Sequence, residues 1–190
     1  MIHSLEDVGF KFIEFRLTKT LDLQTLNAIG KNVFYPFMLH SITDEKIYTT
    51  AKKLLFSDFH DDRFSKDPFI KKNISKARLA EYLRKSFTHQ PKEFLYGLIN
   101  VNSHELVAFK SGELMHKDEA AFYLTGSIKN QENKYRNMLE SLLISELKEK
   151  GVKWIKSITS GLNVIELNLT TRDLPYRIES SSVILRKIYI

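Results

Sequence analysis

Cysteine is absent from the 190-residue chain, which excludes disulfide bridges, cysteine-ligated zinc sites and a thiol nucleophile. Glycine is scarce: seven residues are about half the usual share, which disfavours glycine-rich loops that hold phosphates. No apolar run approaches the ~18 residues of a membrane-spanning helix, and the amino terminus lacks the basic-then-apolar order of a signal peptide. These absences predict a cytoplasmic protein without membrane insertion.

The residues that are present form an ordinary globular composition, with 43% hydrophobic and 27% charged residues. The length fits one domain with a sizeable core. Lys and Arg exceed Asp and Glu by 29 to 23, which fits either a solvated surface, our interpretation, or a basic face for phosphate-bearing partners. The aromatic residues follow strand and helix periods, so we predict core packing and no nucleic-acid partner.

Hydrophobic periodicity predicts a mixed, mostly antiparallel sheet with helices on both faces, which is an α/β fold. The predicted strands cover residues 9–17, 94–101, 105–115, 120–128, 152–159, 176–179 and 182–190. The predicted helices cover residues 22–37, 43–59, 75–87, 134–150 and 163–172. Short polar breaks join the strands over 94–128, so these three strands are expected to be antiparallel neighbours.

The order of elements and two local motifs resemble the GCN5-related N-acetyltransferase (GNAT) superfamily. Segment 60–86 carries Arg63-Phe64 and Asp67-Pro68, similar to the RF-x-x-DP segment of enzymes that acetylate nucleotide-linked 4-amino-4,6-dideoxy sugars. Residues 159–163 (TSGLN) resemble the T-Q-G-x-N turn of those enzymes. Residues 5–23 resemble the closing strand of their smaller amino-terminal half. We therefore divide the chain into residues 1–40, a remnant of that half, and a GNAT-like domain over 41–190.

This resemblance implies acetyl-CoA as a co-substrate and assigns residues to it. The implied contacts of coenzyme A are Ser127, Ile128, Lys134, Tyr135, Arg136, Asn137, Met138, Leu139 and Asn163. The implied contacts of the acceptor substrate are Arg63, Phe64 and Asp67. In the superfamily, the start of a helix holds the diphosphate through backbone amides and a partial positive charge.

The chain departs from the superfamily pattern at two places. The Q/R-x-x-G-x-G/A turn falls on residues 134–139 (KYRNML), where both glycines are missing. There Lys134 and Arg136 either attract the diphosphate by charge or simply solvate the helix start. The tyrosine that protonates the leaving thiolate falls on Thr170, an aliphatic hydroxyl and a far weaker acid, and Tyr176 is the other candidate.

A general base is not assigned by the motifs. Glu113 and Glu119 flank the strands where a base is usual, although surface carboxylates are common there. Residues 60–62 (His-Asp-Asp) lack a second histidine at ligand spacing, so we predict a turn and no metal.

Taken together, the resemblance predicts an acyl-CoA-dependent N-acyltransferase that acetylates a nucleotide-linked amino sugar by direct transfer. The alternative is a catalytically impaired GNAT-fold protein that acts as a binding or scaffolding module. The predicted partners are the amino-sugar nucleotide and a second copy of the chain in a homodimer.

Overall fold

The computed structural model describes residues 2–27, 30–58, 67–116, 118–129 and 131–187, without the side chains of Glu132 and Ile165. The strands are β1 (Lys11–Asp22), β2 (Phe37–Ser41), β3 (Glu93–Asn100), β4 (Glu105–His116), β5 (Glu119–Ser127), β6 (Trp154–Ser160) and β7 (Arg177–Arg186). The helices are α1 (Ile2–Asp7), α2 (Glu45–Asp58), α3 (Lys72–Thr88), α4 (Glu132–Glu149) and α5 (Val164–Asn168), and a π-helical turn, Leu169–Asp173, follows α5.

The strands described form one seven-stranded sheet in the order β2-β3-β4-β5-β6-β1-β7. All neighbours are antiparallel except β5 and β6. The crossover between these two parallel strands runs through α4, as parallel strands require. The predicted α/β class, the three antiparallel neighbours and the crossover are confirmed.

Apolar residues divide between the two faces of the sheet. On one face, α2 and α3 bury a cluster with Leu55, Leu83 and Phe109 at its centre. On the other face, α4 packs on the sheet through Leu143 and other apolar residues. The helix predicted over 43–59 is α2, and Asp44 caps it, because its carboxylate accepts hydrogen bonds from the amides of Lys46 and Ile47 (2.9 and 3.0 Å).

The strand β1 lies between β6 and β7 and pairs with both. Residues from both sides of the predicted boundary at residue 40 therefore share one sheet, and the division into an amino-terminal remnant and a separate domain stays a prediction. The predicted homodimer stays a prediction.

Two predictions of local structure are wrong. The described residues of 22–37 do not form the predicted helix: Asp22 caps a short 3₁₀ turn, Leu23–Thr25, and residues 31–36 form turns before β2. The β2 strand forms because Phe37 to Ser41 pair with β3 and complete that edge of the sheet, a long-range contact that overrides local pattern. The two last strands are one strand, β7, because β1 pairs along it through Ser180–Ser182.

Within the described residues, no helix is long and apolar enough to cross a membrane.

Candidate active site

A gap opens between β5 and β6 about halfway along the two strands. The two strands form four residue pairs, from Glu119–Trp154 to Phe122–Ser157. Beyond Phe122 and Ser157, β5 continues beside β4 to Ser127, and β6 continues beside β1 to Ser160. The parallel strands therefore part beyond Phe122 and Ser157.

A β-bulge causes the parting. The register between β4 and β5 shifts between Gly112–Phe122 and Lys110–Thr125, so Tyr123 and Leu124 together face Ser111. The Leu124 amide donates to the Ser111 hydroxyl (3.1 Å). A bulge bends its strand and increases the local twist. It directs β5 away from β6 immediately after their last pair.

The helix α4 begins earlier than the motif predicts. It starts at Glu132, and the Tyr135 amide donates to the Gln131 carbonyl (3.0 Å). From Tyr135 onward the amides lie in helical i→i−4 hydrogen bonds. Only the first turn, residues 131–134, offers the amides that a helix start leaves without intrahelical partners.

Three of the side chains predicted to contact coenzyme A lie in or against an apolar cluster. Tyr135 and Leu139 are buried under α4 in an apolar cluster with Leu98 and Val107, and Met138 packs against it. Lys134 is exposed beside the first turn. Neither Tyr135 nor Leu139 therefore lies at the helix start. Of the two cations, only Lys134 is at the surface there.

Arg136 and Ser127 lie inside the molecule. The Arg136 guanidinium Nε is 3.4 Å from the Ser127 hydroxyl, and both residues are buried. The Ile128 amide already donates to the Val107 carbonyl (2.9 Å). Asn137 donates its side-chain amide to Asp173 (3.0 Å), after α5. These predicted contacts of coenzyme A remain untested predictions.

Charged residues are buried on the α4 face, beside the gap. We call them, with two hydroxyl residues, the buried charge cluster: Lys19, Lys110, Arg136, Glu140, Glu166, Thr170 and Tyr176. The cluster joins β1, β4, α4, α5 and the turn before β7. Its described members carry three potential positive charges and two potential negative charges.

Glu140 is the centre of the hydrogen bonds in this cluster. One carboxylate oxygen accepts from Lys110 Nζ at 2.5 Å, and the other accepts from the Tyr176 hydroxyl at 2.9 Å. Lys110 Nζ also lies 3.8 Å from Glu166. Buried charges need such partners, because an unpaired charge loses its hydration without compensation.

Electrostatics set the protonation of these groups. Burial opposes the charged form of Lys110, but Glu140 and Glu166 outweigh it and raise its pKa. Burial likewise opposes the charged form of Glu166, but Lys110 and Lys19 lower its pKa. Burial, together with Glu140, raises the pKa of Tyr176 well above its usual value. The phenol is thus held protonated and is a poor acid.

Lys19 differs from the other cations. Its side chain is fully buried, and Nζ donates to the Thr170 hydroxyl at 2.8 Å. Burial lowers its pKa to about 8, with Lys110 adding to the effect and Glu166 and Glu140 opposing it. Near pH 8 this lysine can therefore give up or take up a proton.

The TSGLN turn forms the predicted helix cap. The Asn163 carbonyl oxygen of the side chain accepts from the Glu166 amide at 3.1 Å. The helix α5 is short, and Thr170 lies in the π-helical turn after it, fully buried. A contact of Asn163 with coenzyme A and a catalytic role for Thr170 or Tyr176 remain predictions.

The segment assigned to the acceptor is described only in part. Arg63 and Phe64, like the predicted turn at 60–62, lie outside the described residues. Asp67 is buried and forms a salt bridge of 3.0 Å with Arg186 near the end of β7. The Arg186 guanidinium also stacks over the Phe69 ring at 4.3 Å. Asp67 thus ties segment 60–86 to the sheet.

The two candidate bases are engaged in ion pairs. Glu113 accepts from the Tyr123 hydroxyl (2.6 Å) and lies 3.1 Å from Lys92. These partners lower its pKa. Glu119 pairs with Lys156 at 3.1 Å. Across the described residues no three histidine or acidic side chains come together as a metal site, and the absence of a metal stays a prediction.

Sequence reasoning missed Lys19, Lys110, Glu140 and Glu166. Two of these positions can be noticed in the sequence. Lys110 directly follows the apolar run of residues 106–109, and Glu140 lies between buried apolar residues of α4. The pattern alone does not distinguish such positions from edge or surface positions, because the partners lie far away in the chain.

Comparisons with known proteins address the fold. Neither a scan against protein-family models nor a sequence search of curated proteins gave a match. A functionally unknown conserved protein from Staphylococcus epidermidis is similar in structure, with a TM-score of 0.67, 9% identity and coverage of 98% of this chain and 66% of that one. A GCN5-related N-acetyltransferase from Kribbella flavida is similar with a TM-score of 0.62 at 10% identity, covering 98% of this chain and 63% of that one.

A GCN5-related N-acetyltransferase from Sphaerobacter thermophilus gives a TM-score of 0.64 at 9% identity, covering 98% of this chain and 55% of that one. The chain thus spans 55 to 66% of the length of these three structures. Identities this low bear on architecture and not on activity. The described chain has the fold of the GCN5-related N-acetyltransferases.

Proposed function

We propose that the protein transfers an acyl group from acyl-coenzyme A to an amine. The observation that carries the proposal is the gap between β5 and β6, which opens at a bulge next to the start of α4. Unpaired strand edges offer backbone hydrogen bonds to an extended arm such as pantetheine. The helix start offers amides and a partial positive charge to a diphosphate.

The diphosphate position differs from the one that the motif implied. Because the amides beyond residue 134 are used within α4, we place the diphosphate at the first turn, residues 131–134. Lys134 and Lys129 are exposed beside this turn and supply positive charge, whereas Arg136 is buried in the charge cluster. This arrangement needs no glycine, since the ligand meets the end of the helix and not the side of its first turns.

Catalysis in this site is mainly positional. An amine attacks the thioester carbonyl directly when the gap holds both groups at reacting distance. Our finer proposal for the acceptor is a nucleotide-linked 4-amino-4,6-dideoxy sugar. It rests on the resemblance of segment 60–86 and on the Asp67–Arg186 salt bridge, which anchors that segment to the sheet.

Calorimetric titration of acetyl-CoA tests the donor. We expect the titration to show binding. In a separate thermal melt, acetyl-CoA at a hundredfold excess over Kd should stabilise the fold by about 2.7 kcal/mol. Addition of an amine should then release the free thiol of CoA. The Lys129→Ala/Lys134→Ala variant should bind about tenfold more weakly. Lys72→Ala is the matched control, because Lys72 is an exposed lysine at the start of another helix, α3.

A second candidate is a GNAT-fold binding module without catalysis. The buried charge cluster favours it, because five charged side chains lie beside the gap and the amides of the glycine-turn positions are used within α4. Such a module should show no melting-temperature shift with millimolar acetyl-CoA, which separates the two candidates directly.

A further inference from the structure

The leaving group of the proposed reaction creates a demand for a proton. Attack of an amine on a thioester expels a thiolate, and the parent thiol has a pKa of about 8.5. A donor whose pKa is close to that of the thiol transfers its proton most effectively. A search for such a donor among the described residues beside the gap leads to the buried charge cluster.

Lys19 lies in the row of residues where the gap opens. It pairs with Ser157 on β6, and Ser157 is also the last partner of β5, opposite Phe122. Residues paired directly across strands share one face of a sheet. Lys19 therefore lies on the α4 face, two strands from Phe122. The buried lysine side chain is held in place by Thr170.

The charged groups that act on Lys19 come from α5, β4 and α4. Glu166 of α5, Lys110 of β4 and Glu140 of α4 act on its charge, and its Nζ lies 5.4 Å from the centre of the Tyr176 ring. Burial outweighs the two carboxylates, so the Lys19 ammonium is more acidic than an ordinary lysine. Its pKa of about 8 is close to that of the leaving thiol.

The other members of the cluster do not meet the demand. Tyr176 donates to Glu140, and its pKa is raised well above the usual value. Lys110 is held charged by two carboxylates, which also raise its pKa. Thr170 is an aliphatic alcohol that accepts from Lys19 and donates to the Glu166 carbonyl at 2.8 Å.

We propose that the Lys19 ammonium, supplied by the amino-terminal strand, is the proton donor to the sulfur that leaves the acyl group. This inference rests on the proposed acyl transfer. The acceptor nitrogen forms its bond to the acyl carbon while the carbon–sulfur bond breaks. Lys19 passes one proton to the sulfur and becomes a neutral amine. The attacking nitrogen releases one proton to water, and Lys19 takes one up from water.

Two leaving groups test the proton transfer, with hydroxylamine or the amino-sugar nucleotide as acceptor. Lys19→Met should transfer from acetyl-CoA about 100-fold more slowly than the unaltered protein. The thiolate of the S-acetyl ester of 5-thio-2-nitrobenzoate leaves without protonation. With this ester, the rate of transfer by the same variant should be less than about threefold below that of the unaltered protein. Lys19→Arg should resemble Lys19→Met, because an arginine keeps the charge but does not release its proton.

Lys11→Met is the matched control, because Lys11 is an exposed lysine on the same strand, and it should retain the rate with both esters. Equal losses of Lys19→Met with both esters would overturn proton donation and indicate a structural role. An unchanged rate with acetyl-CoA would overturn it as well. Circular dichroism and melting temperature confirm that each variant is folded.

A measurement independent of turnover separates this inference from the proposed function. In protein labelled with ¹³C at the lysine ε-carbons, one resonance that Lys19→Met removes should titrate near pH 8. Free CoA should shift that midpoint through its thiol, and desulfo-CoA should not. The same titration midpoint with CoA and with desulfo-CoA would overturn the role of Lys19. Absence of transfer from acetyl-CoA, with the midpoint still responding, would instead overturn the proposed enzymatic function.

Discussion

Lys19 and Thr170, 151 positions apart in the chain, are joined by a hydrogen bond of 2.8 Å inside the protein. This bond connects the first strand of the sheet to the turn after α5, next to the gap between β5 and β6. The amino-terminal strand is therefore part of the candidate active site as well as part of the sheet.

The stability of the protein should depend on pH through Lys19. Its pKa in the folded protein, about 8, is lower than the value near 10.4 of an unfolded chain. Between these values the unfolded chain binds more protons, so rising pH stabilises the fold. From pH 7.5 to 10, the free energy of unfolding should rise relative to Lys19→Met by about 2 kcal/mol. Urea unfolding of both proteins at each pH measures this difference in the free energy of unfolding. A difference that does not change with pH would contradict a lowered pKa of Lys19.

Glu140→Ala should strongly destabilise the fold. The substitution leaves Lys110 and Tyr176 buried without their shared acceptor, and removal of one partner from a buried ion pair costs about 3–5 kcal/mol. Denaturant unfolding gives the loss. Glu149→Ala, an exposed position on the same helix, should change the free energy of unfolding by less than about 1 kcal/mol. A small effect at Glu140 would show that the cluster is accessible to water.

Tyr176→Phe separates a structural phenol from a catalytic one. It removes one hydrogen bond to Glu140, so the free energy of unfolding should fall by about 1 kcal/mol. We expect the rate of acyl transfer from acetyl-CoA to fall by less than about tenfold, whereas removal of a general acid costs about 100-fold or more. A loss of that size would assign the proton to Tyr176 and not to Lys19.

Gly112→Ala should destabilise the sheet next to the bulge. An added Cβ would lie 2.3 Å from the Ala121 carbonyl oxygen and 2.3 Å from the Phe94 ring. Overpacking of this kind costs about 1–3 kcal/mol. Gly30→Ala is the control, because a Cβ there meets nothing within 4 Å. Thermal unfolding of both variants compares them, and equal melting temperatures would contradict the close contact at Gly112.

The elements that sequence reasoning predicted well are those whose pattern is local. The apolar period over α4 and the short polar breaks between β3, β4 and β5 depend on neighbouring residues, so their type is correct and their ends differ by a few residues. The strand β2 was missed because it forms only through its pairing with β3. That pairing joins residues about 60 positions apart.

The candidate site was predictable in its location but not in its chemistry. The crossover from β5 through α4 to β6 follows from the order of elements, and so does the place where a gap can open. The register shift that opens it brings the Leu124 amide to the hydroxyl of Ser111 on the neighbouring strand, a contact that the local pattern does not encode. The protonation of Lys19 depends on burial by five different parts of the chain, and no local pattern encodes it.

By itself, the sequence determined the α/β class, the crossover and the scarcity of glycine at the expected phosphate turn, because composition and periodicity act over short stretches of chain. Only the tertiary structure decided that β1 lies between β6 and β7, that α4 begins ahead of the motif, and that opposite charges meet in the interior. Those outcomes depend on contacts between distant residues, whose desolvation and pairing are settled when the sheet and its helices pack together.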